Sequence, residues 1–133
     1  MKILFLCKGN RYRSPIAAAL FNQLYPEHKA ISAGTNIKNE NEHYPVETIQ
    51  TLIKENIDVS KEKTKLVKED IIKKMDKIIV LCNKEYCPNF IISSKKTEYW
   101  VVKDPERESI PDIEITKLII KEKLMNFLNY KKI

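Results

Sequence analysis

Apolar positions along the chain fall into short runs separated by charged and polar stretches, and the spacing within each run predicts its element. Lys2 to Leu6 reads as a buried strand, because Ile3-Leu4-Phe5-Leu6 is unbroken and strand-sized. Ser14-Pro15 reads as a helix start, with serine at the cap and proline at the first helical position. Ile16, Leu20 and Leu24 follow at helical spacing, and Ala17 to Ala19 would let that helix lie close to a sheet. Lys29 to Ala33 predicts a second strand, ended by Gly34, and Pro45 to Asn56 a second helix with Val46, Ile49, Leu52 and Ile53 on one face. Leu66 to Met75 predicts a third helix and Asp76 to Leu81 a third strand. Thr97 to Val102 predicts a fourth strand and Ile113 to Tyr130 a long last helix. Strands alternating with helices imply an α/β fold whose parallel sheet is covered on both faces. No repeat or linker divides it, so residues 1–133 read as one domain.

Composition excludes several classes. At 43% hydrophobic and 32% charged residues the chain has the make-up of a globular protein and not of a disordered one. No apolar run approaches membrane-spanning length, so no membrane partner is expected. The apolar run at the N-terminus is too short for a signal peptide, which predicts a cytoplasmic protein. Three cysteines in such a reducing compartment point to chemistry or burial and away from a disulfide framework. The net charge is +6, with lysines spread from Lys61 to Lys77 and from Lys117 to Lys132. They read first as a solvated helical surface, and second as an attraction for phosphorylated or other anionic partners. Neither an RNA-binding aromatic signature nor a zinc-finger spacing is present, so no nucleic acid is expected. His28 and His43 lack the spacing of metal ligands, read as surface residues, and give no metal site.

In parallel α/β folds ligands bind beyond the carboxyl ends of the strands, where loops enter helices. That rule singles out Cys7-Lys8-Gly9-Asn10-Arg11-Tyr12-Arg13-Ser14-Pro15. A loop here turns successive backbone N–H groups inward, and the helix dipole adds positive potential at its mouth. It can hold a tetrahedral oxyanion without a metal. Cys7 would lie under the bound phosphorus, where the N–H groups and a guanidinium favour its nucleophilic thiolate form. Arg13 offers a planar fork matched to two oxyanion oxygens. Gly9 and Asn10 tolerate left-handed backbone angles, and only two glycines occur in the chain. Ser14 can hydrogen-bond the sulfur and ease its departure. The loop therefore predicts Cys7 and Arg13 as catalytic, with Lys8, Gly9, Asn10, Arg11, Tyr12 and Ser14 binding substrate. Asp104 follows the fourth strand, where a carboxyl group could reach the pocket and protonate a leaving oxygen. On residues alone Asp104-Pro105 reads better as a turn.

The run from Ile3 to Pro15 resembles the phosphate-binding signature of the low-molecular-weight protein tyrosine phosphatases and of their relatives, the thioredoxin-coupled arsenate reductases. Ile31-Ser32-Ala33-Gly34-Thr35, the Ile78 to Leu81 strand, and Asp104-Pro105 after Tyr99-Trp100 match in order, so the resemblance spans nearly the whole chain. It implies a three-layer domain with a four-stranded parallel sheet, the phosphate loop between first strand and first helix, and no cofactor. It implies cysteine-dependent hydrolysis of phosphomonoesters through a phosphocysteine, acting on a phosphorylated protein or a small phosphomonoester. In that reaction Asp104 serves as general acid and then as base.

The sequence departs from the phosphatase pattern at two places. Arg11 and Tyr12 stand where many members carry a second loop cysteine, and Glu106-Arg107-Glu108-Ser109 replaces the aromatic wall after the Asp-Pro pair. Tyr12 and Tyr44 are the aromatic residues that could substitute for that wall. Cys82 and Cys87 follow the third strand, near where the arsenate reductases place a resolving pair at wider spacing. The alternative function is thus a relay in which Cys7 reduces arsenate, Cys82 attacks Cys7, Cys87 resolves, and thioredoxin is the partner. Read structurally, the two are small apolar side chains packed beneath the sheet edge. A helix over 83–87 would hold them too far apart to bridge. A third alternative is a catalytically inactive oxyanion-binding module.

Overall fold

The computed structural model describes residues 1–37, 40–105 and 110–131, without the side chains of 110 and 128–131. The elements are β1 (Lys2–Cys7), α1 (Arg13–Leu24), β2 (Lys29–Gly34), α2 (Val46–Ile53), α3 (Glu69–Ile72), β3 (Lys77–Val80), α4 (Asn89–Ile92), β4 (Thr97–Tyr99) and α5 (Ile110–Lys131). The sheet is wholly parallel in the order β2-β1-β3-β4, with Cys7 opposite Gly34 and Leu6 opposite Val80. This is the expected four-stranded α/β architecture.

β1 is central and covered on both sides, which is why its apolar run is unbroken: Ile3, Leu4, Phe5 and Leu6 are all 0% exposed. At about 1.5–3 kcal/mol for each large side chain removed from water, this strand anchors the sheet. Its alternation divides the core. Ile3, Phe5 and Cys7 face a cluster under α1 and α5, whereas Leu4 and Leu6 face a second cluster with Met75, Ile78, Val80, Cys82 and Ile91. Phe5 meets Phe21 and Trp100, and Trp100 meets Phe127 edge-on at 5.0 Å, tying β1, α1, the end of β4 and α5 together. Ala17 and Ala18 let α1 approach the sheet as predicted.

Several boundaries differ from the sequence expectation. The first helix begins at Arg13, so Ser14 lies inside its first turn and does not cap it. The third helix shrinks from Leu66–Met75 to one turn. Val67 N–H donates to Gly34 O, and Gly34 N–H donates to Lys65 O, so this backbone continues the edge of the sheet before a helix can start. α2 runs only from Val46 to Ile53, and β4 ends at Tyr99, although Trp100 N–H still donates to Val80 O and Val102 N–H to Leu81 O.

The lysines are not all solvated. Lys117 on α5 is 3% exposed, donates to the Thr51 carbonyl at 3.2 Å, and pairs with Glu114 at 2.9 Å and Glu55 at 3.4 Å. A buried ammonium is tolerated here because carboxylates and a carbonyl replace its water. Burial works against the charge on Glu114. Hydrogen bonds from Thr51, Lys117 and Lys54 prevail, and hold its carboxyl down at about 2. His43 is exposed as expected, while His28 is half-buried and hydrogen-bonds the N-terminal amine at 2.9 Å. No helix among the described residues is long and apolar enough to cross a membrane.

Candidate active site

Residues 8–12 wrap from the end of β1 into α1 and form a cradle around the Cys7 sulfur, which is almost wholly buried. The Ser14 hydroxyl lies 3.0 Å from Cys7 Sγ. Asn10 locks the loop. Its backbone is left-handed, with φ of 54°, a conformation asparagine tolerates better than most residues. Its Nδ2 donates to Ser14 Oγ at 2.9 Å and to Ser32 Oγ at 3.0 Å, and its Oδ1 accepts from Lys65 N–H at 3.0 Å. Three of the four hydrogen bonds the amide can make are therefore made inside the protein.

The glycines change places in importance. Gly9 does not use a positive φ, and a Cβ there would meet only the Arg11 side chain at 3.7 Å. Gly34 is the position that has no room, since its Cβ would fall 2.9 Å from the Lys8 carbonyl oxygen and 2.8 Å from Ile37. The close approach lets Thr35 N–H donate to Cys7 O and Asn36 N–H donate to Lys8 O, so the end of β2 forms the floor of the cradle.

Arg13, 6% exposed, is fixed by two strand ends. Its Nη1 donates to Val102 O at 2.9 Å and Leu81 O at 3.3 Å. Its Nε is buried and makes no hydrogen bond; Asp104 Oδ1 stands 3.4 Å away, near enough for an ion pair but off the hydrogen-bond line. Structure thus brings Cys7, Arg13, Ser14 and Asp104 to one place. Lys8, Arg13, Cys82, Tyr86, Val101 and Asp104 are among the residues that line a cavity of about 480 Å³ above the loop. A larger cavity of about 710 Å³ borders Lys77, Thr97 and Trp100, away from every loop residue.

The remaining loop side chains separate. Arg11 is exposed and faces Glu42 at 4.0 Å, and its carbonyl accepts from Thr48 Oγ1 at 2.6 Å. Tyr12 and Tyr44 are 7% and 5% exposed. Both are packing residues, and neither replaces the missing aromatic wall. Residues 106–109, where the family's wall was sought, lie outside the described residues. The aromatic side chain that does border the cavity is Tyr86, 40% exposed, with the Lys8 ammonium 4.6 Å from its ring centre. Sequence reasoning passed over it because its segment has no periodic signal.

Cys82 and Cys87 flank a single 3₁₀ turn, Lys84–Tyr86, after which Cys87 is extended. This is the loop geometry that a bond between them would require, and the two thiols are near enough to shift each other's titration. Burial pushes the Cys87 thiol up to about 12, with the neighbouring Cys82 adding to the effect. Burial also raises Cys82, reinforced by Cys7. All three cysteines are free thiols.

The family model for low molecular weight phosphotyrosine protein phosphatases matches residues 2–133. The chain belongs to that family. It is a phosphatase-like enzyme of the low-molecular-weight class. Among curated proteins it is similar to arsenate reductase 2 of Staphylococcus saprophyticus, 27% identical over 94% of both chains. Its fold matches a low-molecular-weight protein tyrosine phosphatase from T. tengcongensis with a TM-score of 0.85 at 23% identity, covering 98% of this chain and 99% of that one. It also matches an arginine phosphatase from Geobacillus stearothermophilus with a TM-score of 0.81 at 21% identity, covering 98% and 92%.

Proposed function

We propose that the protein hydrolyses phosphomonoesters through a phosphocysteine at Cys7. The observation that carries this reading is the buried cradle in which the Ser14 hydroxyl sits 3.0 Å from Cys7 Sγ while Asp104 faces Arg13 at 3.4 Å. Arg13 Nη1 is held by two carbonyls, so Nε and the adjoining edge of the guanidinium would grip two phosphoryl oxygens. Cys7 Sγ attacks phosphorus, the P–O bond to the leaving group breaks, and protonated Asp104 gives its proton to the departing oxygen. In the second step the Asp104 carboxylate removes a proton from water. The hydroxide oxygen bonds phosphorus, the P–S bond breaks, and the Ser14 hydroxyl donates to the departing sulfur. The substrate is a phosphorylated protein or a small phosphomonoester, and reduced thiols suit a cytoplasmic setting.

Exchanging Asp104 for Asn removes the proton donor but keeps the side-chain shape. Hydrolysis of aryl phosphates with poor leaving groups should slow by about 10²-fold or more, and that of good leaving groups far less. Equal slowing across a leaving-group series would reduce Asp104 to a turn residue and a partner of Arg13.

A second reading is thioredoxin-coupled arsenate reduction, favoured by the loop that brings the Cys82 and Cys87 thiols near each other and by the arsenate reductases among the relatives. Arsenate would bond Cys7 sulfur with loss of water. Cys82 sulfur would attack Cys7 sulfur, the S–As bond electrons reducing arsenic(V) to arsenic(III). Cys87 would then displace Cys7, leaving a Cys82–Cys87 disulfide for thioredoxin to reduce. Phosphatase ranks first because the family model that matches the chain is a phosphatase model and the hydrolytic steps need neither Cys82 nor Cys87.

A further inference from the structure

The cavity above the loop carries more positive charge than a phosphoryl group uses. Its one acidic lining residue among those described, Asp104, faces Arg13, and Lys8 lines it as well. A bound phosphoryl group meets the loop N–H groups and the Arg13 guanidinium, which leaves Lys8 facing the rest of the substrate. Lys8 is exposed, yet its ammonium stands 4.6 Å over the Tyr86 ring. A flexible lysine held on an aromatic face loses part of its rotamer freedom before any ligand arrives, and its charge is kept at one place on the rim.

We propose that Lys8, positioned by Tyr86, determines specificity by binding a second anionic group next to the scissile phosphate, so that the preferred substrate is a phosphorylated peptide with an acidic neighbour. This rests on the phosphomonoester reading. Tyr86 holds the Lys8 ammonium at the cavity, where its potential draws the acidic group in. Glu85 belongs to the same 3₁₀ turn but is not among the residues lining the cavity.

The test is binding of two peptides that carry a non-hydrolysable phosphonate in place of phosphotyrosine, one flanked by aspartates and one by asparagines. Titration at low salt should show the acidic peptide binding tighter by about two- to five-fold per lysine engaged, the span of an exposed ion pair. The preference should fade as salt shortens the screening length. Lys8→Gln should collapse the acidic-to-neutral ratio towards one, Tyr86→Leu should reduce it, and Tyr86→Phe, which keeps the ring, should preserve it. An unchanged ratio in Lys8→Gln, or equal binding of both peptides by the wild type, overturns the inference and leaves the phosphatase reading intact. Failure to bind either peptide while vanadate still binds overturns the inference alone, whereas failure to bind vanadate overturns the phosphomonoester reading as well.

Discussion

Two cysteine environments lie side by side at the carboxyl end of the sheet, and they differ in almost everything except the residue. Cys7 ends a central strand at the mouth of a helix, with a hydroxyl at 3.0 Å, a guanidinium fixed by carbonyls, and a loop locked by Asn10. Cys82 packs against the second core cluster with Leu4, Leu6, Val80 and Ile91, and Cys87 borders it, although Cys82 also reaches the lining of the cavity above the loop. Burial raises both thiols. The Tyr99 hydroxyl nearby is buried without a hydrogen-bond partner. In the proposed mechanism what sets Cys7 apart is the arrangement of dipoles and charges around it, since burial alone makes a thiol inert.

The sharpest break of this contrast is Cys7→Ser. A hydroxyl in the same cradle is a far poorer nucleophile, so aryl phosphate turnover should fall by more than about 10⁴-fold while vanadate binding persists. Turnover near the wild-type rate would sink the phosphocysteine mechanism. Arg13→Lys keeps one positive charge but loses the fork and the anchors on Leu81 and Val102. Rate should drop by about 10²–10³-fold, the effect of removing one preorganised oxyanion donor. Unchanged steady-state kinetics would mean that the loop does not hold the phosphoryl group. The smallest effect belongs to Cys82→Ser with Cys87→Ser, which should leave aryl phosphate hydrolysis roughly unchanged and abolish any thioredoxin-coupled arsenate reduction. Mass spectrometry of the wild type sharpens this last comparison. A Cys82–Cys87 disulfide that forms only with arsenate and only when Cys7 is present would put the reductase reading first.

Much of this was legible in the sequence for a physical reason. The unbroken run Ile3–Leu6 can only be a strand buried on both faces, and the loop that follows it occupies the position where parallel sheets bind ligands. α5 was legible because Ile113, Ile120, Leu124 and Phe127 keep helical spacing and are buried. What failed did so where tertiary contacts override local pattern. Leu66 and Val67 have helical spacing but bridge to Gly34 instead. Ser14 looks like a cap but its hydroxyl faces sulfur and Asn10. Lys117 looks like surface but meets its carboxylate partners from α2's end and from its own helix. The contribution of Asn10 depends on Ser32 and Lys65, residues that no local reading brings near it.

The anchors of Arg13 set the order in which the enzyme becomes competent. Its carbonyl partners lie 68 and 89 positions further along the chain. The parallel pairing that presents them is non-local throughout, a topology that folds slowly because long loops must close first. The Arg13 guanidinium has neither carbonyl anchor until β3 and the strand beyond it have docked. In the proposed mechanism the clamp on the phosphoryl group therefore forms late, and a half-folded chain carries Cys7 without it.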